Sequence, residues 1–164
     1  MAAPSPIVIA YDGSTAARAA VRQAGLLFAP RAAIVLTAWE PGLAEFMLMP
    51  GVGGMGSMMM PYDPSVVRDI DRAAEDHAHD IAEDGAELAR SEGLTAEALA
   101  VRDTADTVDA LVTAAEEHHA AAIVVGSRGL KGLKSKLLGS TSSGLLSRSS
   151  CPVVVVRHPE DSES

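Results

Sequence analysis

With 164 residues and 48% hydrophobic content, the chain is long enough to bury the core of one domain, and no apolar run approaches the ~20 residues a membrane-spanning helix needs. Its 22 acidic residues outnumber 13 basic ones, a net charge of -9, so a long nucleic acid would be repelled by most of its surface. The single cysteine, Cys151, allows no internal disulfide and suits a reducing cytoplasm; no basic region precedes Ile7, which speaks against a secretory signal.

Aromatic residues make up only 3% of the chain, so the core has to be built from Ala, Val, Leu and Ile. Ile7-Val-Ile-Ala10 is a continuous apolar run, the pattern of a parallel strand covered on both faces. Tyr11-Asp12-Gly13-Ser14 adds turn chemistry and an N-cap. Thr15 to Ala29 reads as a helix, with Ala17, Ala20, Val21, Ala24, Leu27 and Phe28 on one face and Pro30 ending it. Asp12 thus falls at the carboxyl end of a strand, where ligands bind in open α/β sheets. Position alone leaves two roles open for it, a ligand carboxylate or a helix cap. Ala32 to Trp39 is a second strand, with the single tryptophan at its carboxyl end. An indole there can stack on a flat base or plug the edge of the core.

From about residue 41 to 64 the glycines and prolines forbid a regular element, and six of the seven methionines gather there. Clustered thioethers can hold Cu(I), but such sites usually add His or Cys, and none is nearby. A lid or partner-contacting loop is the expected role. Ser65 to Glu92 is a long helix with Val67, Ile70, Ala74, Ile81 and Leu88 at helical spacing. His79 with Glu75 or Glu83 has metal-ligand spacing; an acidic solvated face is the plainer reading, and no metal site is expected. Leu94 to Val101 reads as a weak third strand, Thr104 to Ala115 as the next helix, and Ala120 to Val125 as a buried fourth strand. The acidic tail, residues 158–164, is expected to fray.

The fourth strand runs into Gly126-Ser-Arg-Gly129-Leu-Lys-Gly-Leu-Lys-Ser-Lys-Leu-Leu-Gly139-Ser140-Thr141-Ser142, followed by a patch, 142–149, with helical potential. Strand, glycine-rich loop and hydroxyl-bearing helix start make a phosphate-binding arrangement: glycine lets the backbone approach an anion, and a helix N-terminus adds partial positive charge. Residues 126–157 hold six of the 13 basic residues and no acidic one, leaving a balance of −15 over the remainder. All three lysines, Lys131, Lys134 and Lys136, lie in this loop. A basic island on an acidic background fits a small polyanion; the alternative is a surface loop that is merely basic. The spacing is neither a Walker A loop, nor Gly-x-Gly-x-x-Gly, nor a nucleophile elbow.

Gly-x-x-Gly, then Leu130 to Leu138, then Gly-Ser resembles the nucleotide-binding signature of the universal stress protein family, in its ATP-binding branch. The match extends through Ser149-Ser-Cys-Pro152-Val-Val-Val-Val156 and back to Ile7-Val-Ile-Ala-Tyr-Asp12. Ala105-Asp106-Thr107 departs from the family's Gly-x-Pro turn. The resemblance implies a single α/β domain over residues 1–164, a three-layer sandwich around a five-stranded parallel sheet of order 3-2-1-4-5, Rossmann-like and akin to the adenine nucleotide alpha hydrolases. It implies a nucleotide site made of Ala10, Tyr11, Asp12, Trp39, Val125, Gly126, Arg128, Gly129, Gly139, Ser140, Thr141 and Ser142, in which Asp12 and Trp39 hold adenosine, Asp12 on the base or ribose. Gly129, Gly139, Ser140, Thr141 and Ser142 would wrap the phosphates of ATP, or of ADP or AMP, with charge from Arg128 and the three lysines and with Mg²⁺ carried by the phosphates. A homodimer through the last strand, Cys151–Val156, is implied as well, and an apolar edge strand gives it a physical motive.

Three readings follow for the whole: a nucleotide-dependent regulatory or stress-response dimer, a weak ATPase of the same fold, and a nucleotide-free structural dimer. No His- or Cys-based nucleophile stands near the loop, so no catalytic residue is assigned and the first reading is favoured.

Overall fold

The computed structural model describes residues 4–41, 64–103, 106–127 and 139–157. The methionine-rich segment, Arg128, Gly129, the three lysines and the acidic tail lie outside the described residues.

Five strands form one parallel sheet: β1 (Ile7–Ala10), β2 (Ala32–Trp39), β3 (Thr95–Arg102), β4 (Ala122–Gly126) and β5 (Val153–Val156), in the order β3-β2-β1-β4-β5. The expected order holds. The helices are α1 (Thr15–Phe28), α2 (Pro64–Ser91), α3 (Thr107–Glu117) and α4 (Ser140–Arg148). Helices α1 and α2 cover the face that carries Ile7, Ile9, Val35 and Val124; α3 and α4 cover the face with Val8, Ile34, Leu36 and Ile123. Burial on both faces is why the central strands read as unbroken apolar runs: Ile7, Val8 and Ile9 are all fully buried. None of the described helices is long and apolar enough to cross a membrane.

The helices bury mainly small residues. In α1 the expected Ala17, Ala20, Val21 and Ala24 are buried together with Ala16, while Leu27, expected on the same face, stays 56% exposed. In α2 the buried face is Ala78, Ala82, Gly85, Ala86 and Ala89, whereas Ile70 is 42% exposed and Ile81 and Leu88 only pack at the margin. Alanine and glycine let a helix axis come close to the sheet, and that close approach, not side-chain bulk, decides which face turns inward. Helix ends also shift. Asp106 accepts the Asp109 amide at 2.8 Å, so α3 opens at Thr107, not Thr104. Gly139 is the N-cap of α4, which therefore starts at Ser140, two residues before the sequence pattern placed it.

Gly85 marks the tightest contact of α2. A Cβ there would stand 2.7 Å from the Tyr11 ring and 2.8 Å from a Val35 methyl. The ring is tied by a 2.7 Å hydrogen bond to Asp84, so it has little room to retreat. Alanine raises helix propensity by about 1 kcal/mol over glycine, but overpacking a core typically costs about 1–3 kcal/mol. Gly85→Ala is therefore expected to lower stability by about 1 kcal/mol, read as a shift of the urea midpoint; a stabilised variant would contradict the packing.

Candidate functional site

The chain leaves β1 and β4 toward opposite faces of the sheet, β1 into α1 and β4 into α4, so a crevice opens between their carboxyl ends. Two features press the walls of this crevice together. The Cβ that Gly126 lacks would lie 2.8 Å from the carbonyl carbon and oxygen of Ala16, so the end of β4 sits directly on the first turn of α1. Only glycine allows that approach. The turn before it, Tyr11 to Ser14, is fixed by Gly13 at φ 77 and by the Ser14 amide donating to Asp12 Oδ1 at 3.0 Å.

Ser14, not Asp12, caps α1, its hydroxyl accepting from the Ala17 amide at 3.1 Å. The cap role that sequence left open for Asp12 is thus taken by its neighbour. Its carboxylate closes the turn at the strand tip.

On the other wall the chain re-enters at Gly139, whose amide donates to the Ser127 carbonyl at 2.7 Å, while the Ser127 amide donates to the Val156 carbonyl at 2.8 Å. These two bonds seat the start of α4 on the ends of β4 and β5. Glycine supplies no side-chain cap, and the first turn of α4 carries no acidic residue. The amides of Ser140, Thr141 and Ser142 open the helix with its positive dipole end toward the crevice. Ser140 is exposed and Thr141 half-buried. Ser142 is 1% exposed and its hydroxyl donates to the Gly139 carbonyl at 3.1 Å, so what it offers a ligand is its backbone amide.

With this geometry, the decisive comparison is the model of the universal stress protein family, which matches residues 5–157. The chain belongs to that family. Universal stress protein YxiE of Bacillus subtilis (strain 168) is 38% identical over 77 residues, 47% of this chain and 51% of that relative, so the match spans about half its length. A universal stress protein solved in complex with cAMP is 27% identical with a TM-score of 0.61, over 95% of this chain and 98% of that one. The universal stress protein from Archaeoglobus fulgidus in complex with dAMP, 22% identical over 94% and 98% of the two chains, has the same fold at a TM-score of 0.59.

The remaining family positions are placed as follows. Ala10 is half-buried and Val125 6% exposed; both side chains pack in the α3/α4 core, leaving their backbone at the crevice. Arg128 and Gly129 lie outside the described residues. Trp39 is half-buried at the end of β2, and the Arg102 guanidinium lies over its ring, 5.5 Å from the centroid. Arg148, one of the six basic residues of the island, is committed elsewhere: it pairs with Asp106 at 2.8 Å and with Asp109 at the start of α3. Among the described residues, no group of three or more His, Cys, Asp or Glu could hold a metal.

Tyr11 has a packing role of its own. Its side chain turns under α2, 3% exposed, and its hydroxyl donates to Asp84 Oδ2 at 2.7 Å. Arg18 holds the same carboxylate oxygen at 2.7 Å, while the Thr37 hydroxyl donates to the Tyr11 carbonyl at 2.8 Å. The residue anchors the Asp12 turn from below. Asp84, Gly85, Arg18 and Thr37 were not singled out from sequence; a glycine inside a long helix was the one available signal.

Burial first, and then the hydrogen bond to Asp84, pushes the Tyr11 phenol from 10.0 up to about 12. A raised folded-state value means a stabilising contribution that is complete below pH 10.0 and is lost as pH rises toward about 12. Tyr11→Phe should cost about 1 kcal/mol at neutral pH and should lose less stability than the parent across that alkaline interval. Urea midpoints recorded against pH for both proteins check this, and parallel curves would contradict it.

Proposed function

We propose that this universal stress protein binds an adenine nucleotide, ATP with ADP or AMP as alternatives, in the crevice between β1 and β4, and works in the cytoplasm as a nucleotide-dependent regulatory homodimer. The observation that carries the reading is the start of α4: a helix of nine residues, N-capped by a glycine and seated by the Gly139–Ser127 bond, with its first amides facing the crevice. Such an end attracts phosphate through both its N–H groups and its dipole. Asp12, across the crevice, is placed to accept hydrogen bonds from ribose hydroxyls or the base. The family member in complex with cAMP, at 27% identity, supports an adenine nucleotide as the ligand class. In this reading Gly129 lends a backbone N–H, the cations Arg128, Lys131, Lys134 and Lys136 add neutralising charge, and Mg²⁺ arrives with the phosphates.

Isothermal titration calorimetry with ATP tests it. Gly139→Val puts a branched side chain where phosphate would sit and should abolish the binding heat. Asp12→Ala removes a charged hydrogen-bond acceptor and should weaken binding by about 10- to 100-fold. A Gly139→Val variant that bound ATP like the parent would sink the reading.

The dimer part concerns β5, the last strand at one edge of the sheet. The carbonyls of Pro152 and Val156 accept from the amides of Ile123 in β4 and of Ser127 just after it. By period-two alternation Val153 and Val155 then direct their backbone groups outward from the sheet. An apolar strand with outward backbone groups favours pairing with a second copy. Val155→Pro deletes one outward N–H without touching the ladder to β4. Sedimentation is expected to give a dimer for the parent and a monomer for the variant; a dimeric variant would remove β5 as the interface.

A further inference from the structure

Trp39 and Arg102 are direct partners in the β2–β3 register, at the last position of each strand. The Asp103 amide donates to the Trp39 carbonyl at 2.7 Å, carrying the ladder one step past the pair. The indole is therefore held on ordered backbone. Above it the Arg102 guanidinium lies 5.5 Å from the ring centroid, and its Nη2 reaches Asp71 of α2 at 3.5 Å. A single guanidinium thus joins the indole to a long helix. The next strand over carries the Asp12 turn: the Tyr11 amide donates to the Leu36 carbonyl at 2.9 Å and the Thr37 hydroxyl to the Tyr11 carbonyl at 2.8 Å. Trp39 stands two residues beyond Thr37, on the rim of the same crevice.

A cation over one face of an indole restrains the ring and leaves the other face for a second flat partner. The ring is only half-buried and packs in neither core cluster, which leaves surface for a second partner. We infer that Arg102 is a positioning and specificity-determining residue, which holds Trp39 as a stacking shelf for a purine base at the rim of the nucleotide site. The inference rests on the nucleotide reading above and adds to it the residue that selects the base class. A bicyclic purine overlaps an indole over more area than a pyrimidine does, so the shelf favours adenine over uracil. Fixing the ring before the ligand arrives also removes part of the ordering cost of binding.

Trp39 is the single tryptophan of the chain, so intrinsic emission reports on this ring alone. The full-length protein is titrated with ATP and with UTP, following heat by calorimetry and Trp39 emission in the same samples. ATP should bind about 10-fold more tightly than UTP and should change the emission. R102M keeps the length of the side chain and loses the cation. It is expected to weaken ATP about 3- to 10-fold, to bring the ATP-to-UTP ratio toward one, and to lower the emission anisotropy of the free protein, with R102K recovering part of each. A merely structural Arg102 would lower the thermal midpoint without moving the base ratio. ATP heat with unchanged emission, or an unchanged base ratio in R102M, overturns the shelf and leaves the nucleotide reading standing. Absence of heat with either nucleotide overturns both.

Discussion

The 2.7 Å hydrogen bond between the Gly139 amide and the Ser127 carbonyl ties the start of α4 to the end of β4. Without it the direction of the helix dipole would not be fixed relative to the sheet. With it, the helix starts where β4 and β5 end. Two further contacts hold its axis. Gly144 faces Val108 so closely that a Cβ would stand 2.7 Å from a Val108 methyl, and Arg148 at the far end binds Asp106 and Asp109 of α3. One end of α4 is thus fixed to the sheet by backbone and the other to its neighbouring helix by charge. The ion pairs are half-exposed, so their share of global stability is small; what they contribute is orientation.

Close approach recurs wherever two elements meet at the crevice. Gly126 admits the first turn of α1, Gly85 admits the Tyr11 ring, and the alanine faces of α1 and α2 bring both helices near the sheet. A core poor in aromatics gains its density from short distances, since small side chains leave no gaps only when backbones come near one another. The same residues that make the core tight also set the width of the crevice. Enlarging Gly126 would push α1 from β4 and part the Asp12 turn from the start of α4.

Much of this was legible in the chain. Unbroken apolar runs such as Ile7 to Ala10 announce strands buried on both faces, and the strand-glycine-hydroxyl succession from Val125 to Ser142 announces a helix start after β4. What could not be read were the contacts between residues far apart in sequence. The Tyr11–Asp84 bond spans 73 positions and the Arg148–Asp106 pair 42, and neither leaves a local pattern. Parts of two helix faces differ for another reason. Periodicity weights bulk, so Ile70 and Leu27 drew the predicted stripe outward, while the inward face of α2 is defined by the absence of bulk in Ala78, Ala82 and Ala86. Helix starts moved because caps depend on which residue meets the next amide. Asp106 and Gly139 both lie where sequence allowed several choices.

Charge gives these long-range contacts a common logic. The acidic excess of the chain is not spread evenly over its arginines: Asp84 takes Arg18, Asp71 takes Arg102, Glu83 takes Arg90, and Asp106 with Asp109 takes Arg148. Each of these cations is thereby held by a carboxylate on α2 or at the start of α3, and two of them, Arg18 and Arg102, lie over the Tyr11 and Trp39 rings at the carboxyl edge of β1 and β2. An incoming polyanion would find those guanidinium groups already neutralised. In the proposed reading the attraction that remains comes from oriented amides at the start of α4, whose dipoles are fixed by the fold and carry no counter-ion of their own, together with the cations Arg128, Lys131, Lys134 and Lys136. An acidic protein can present such a site because fixed backbone dipoles supply part of the attraction, while the paired arginines hold that backbone in place.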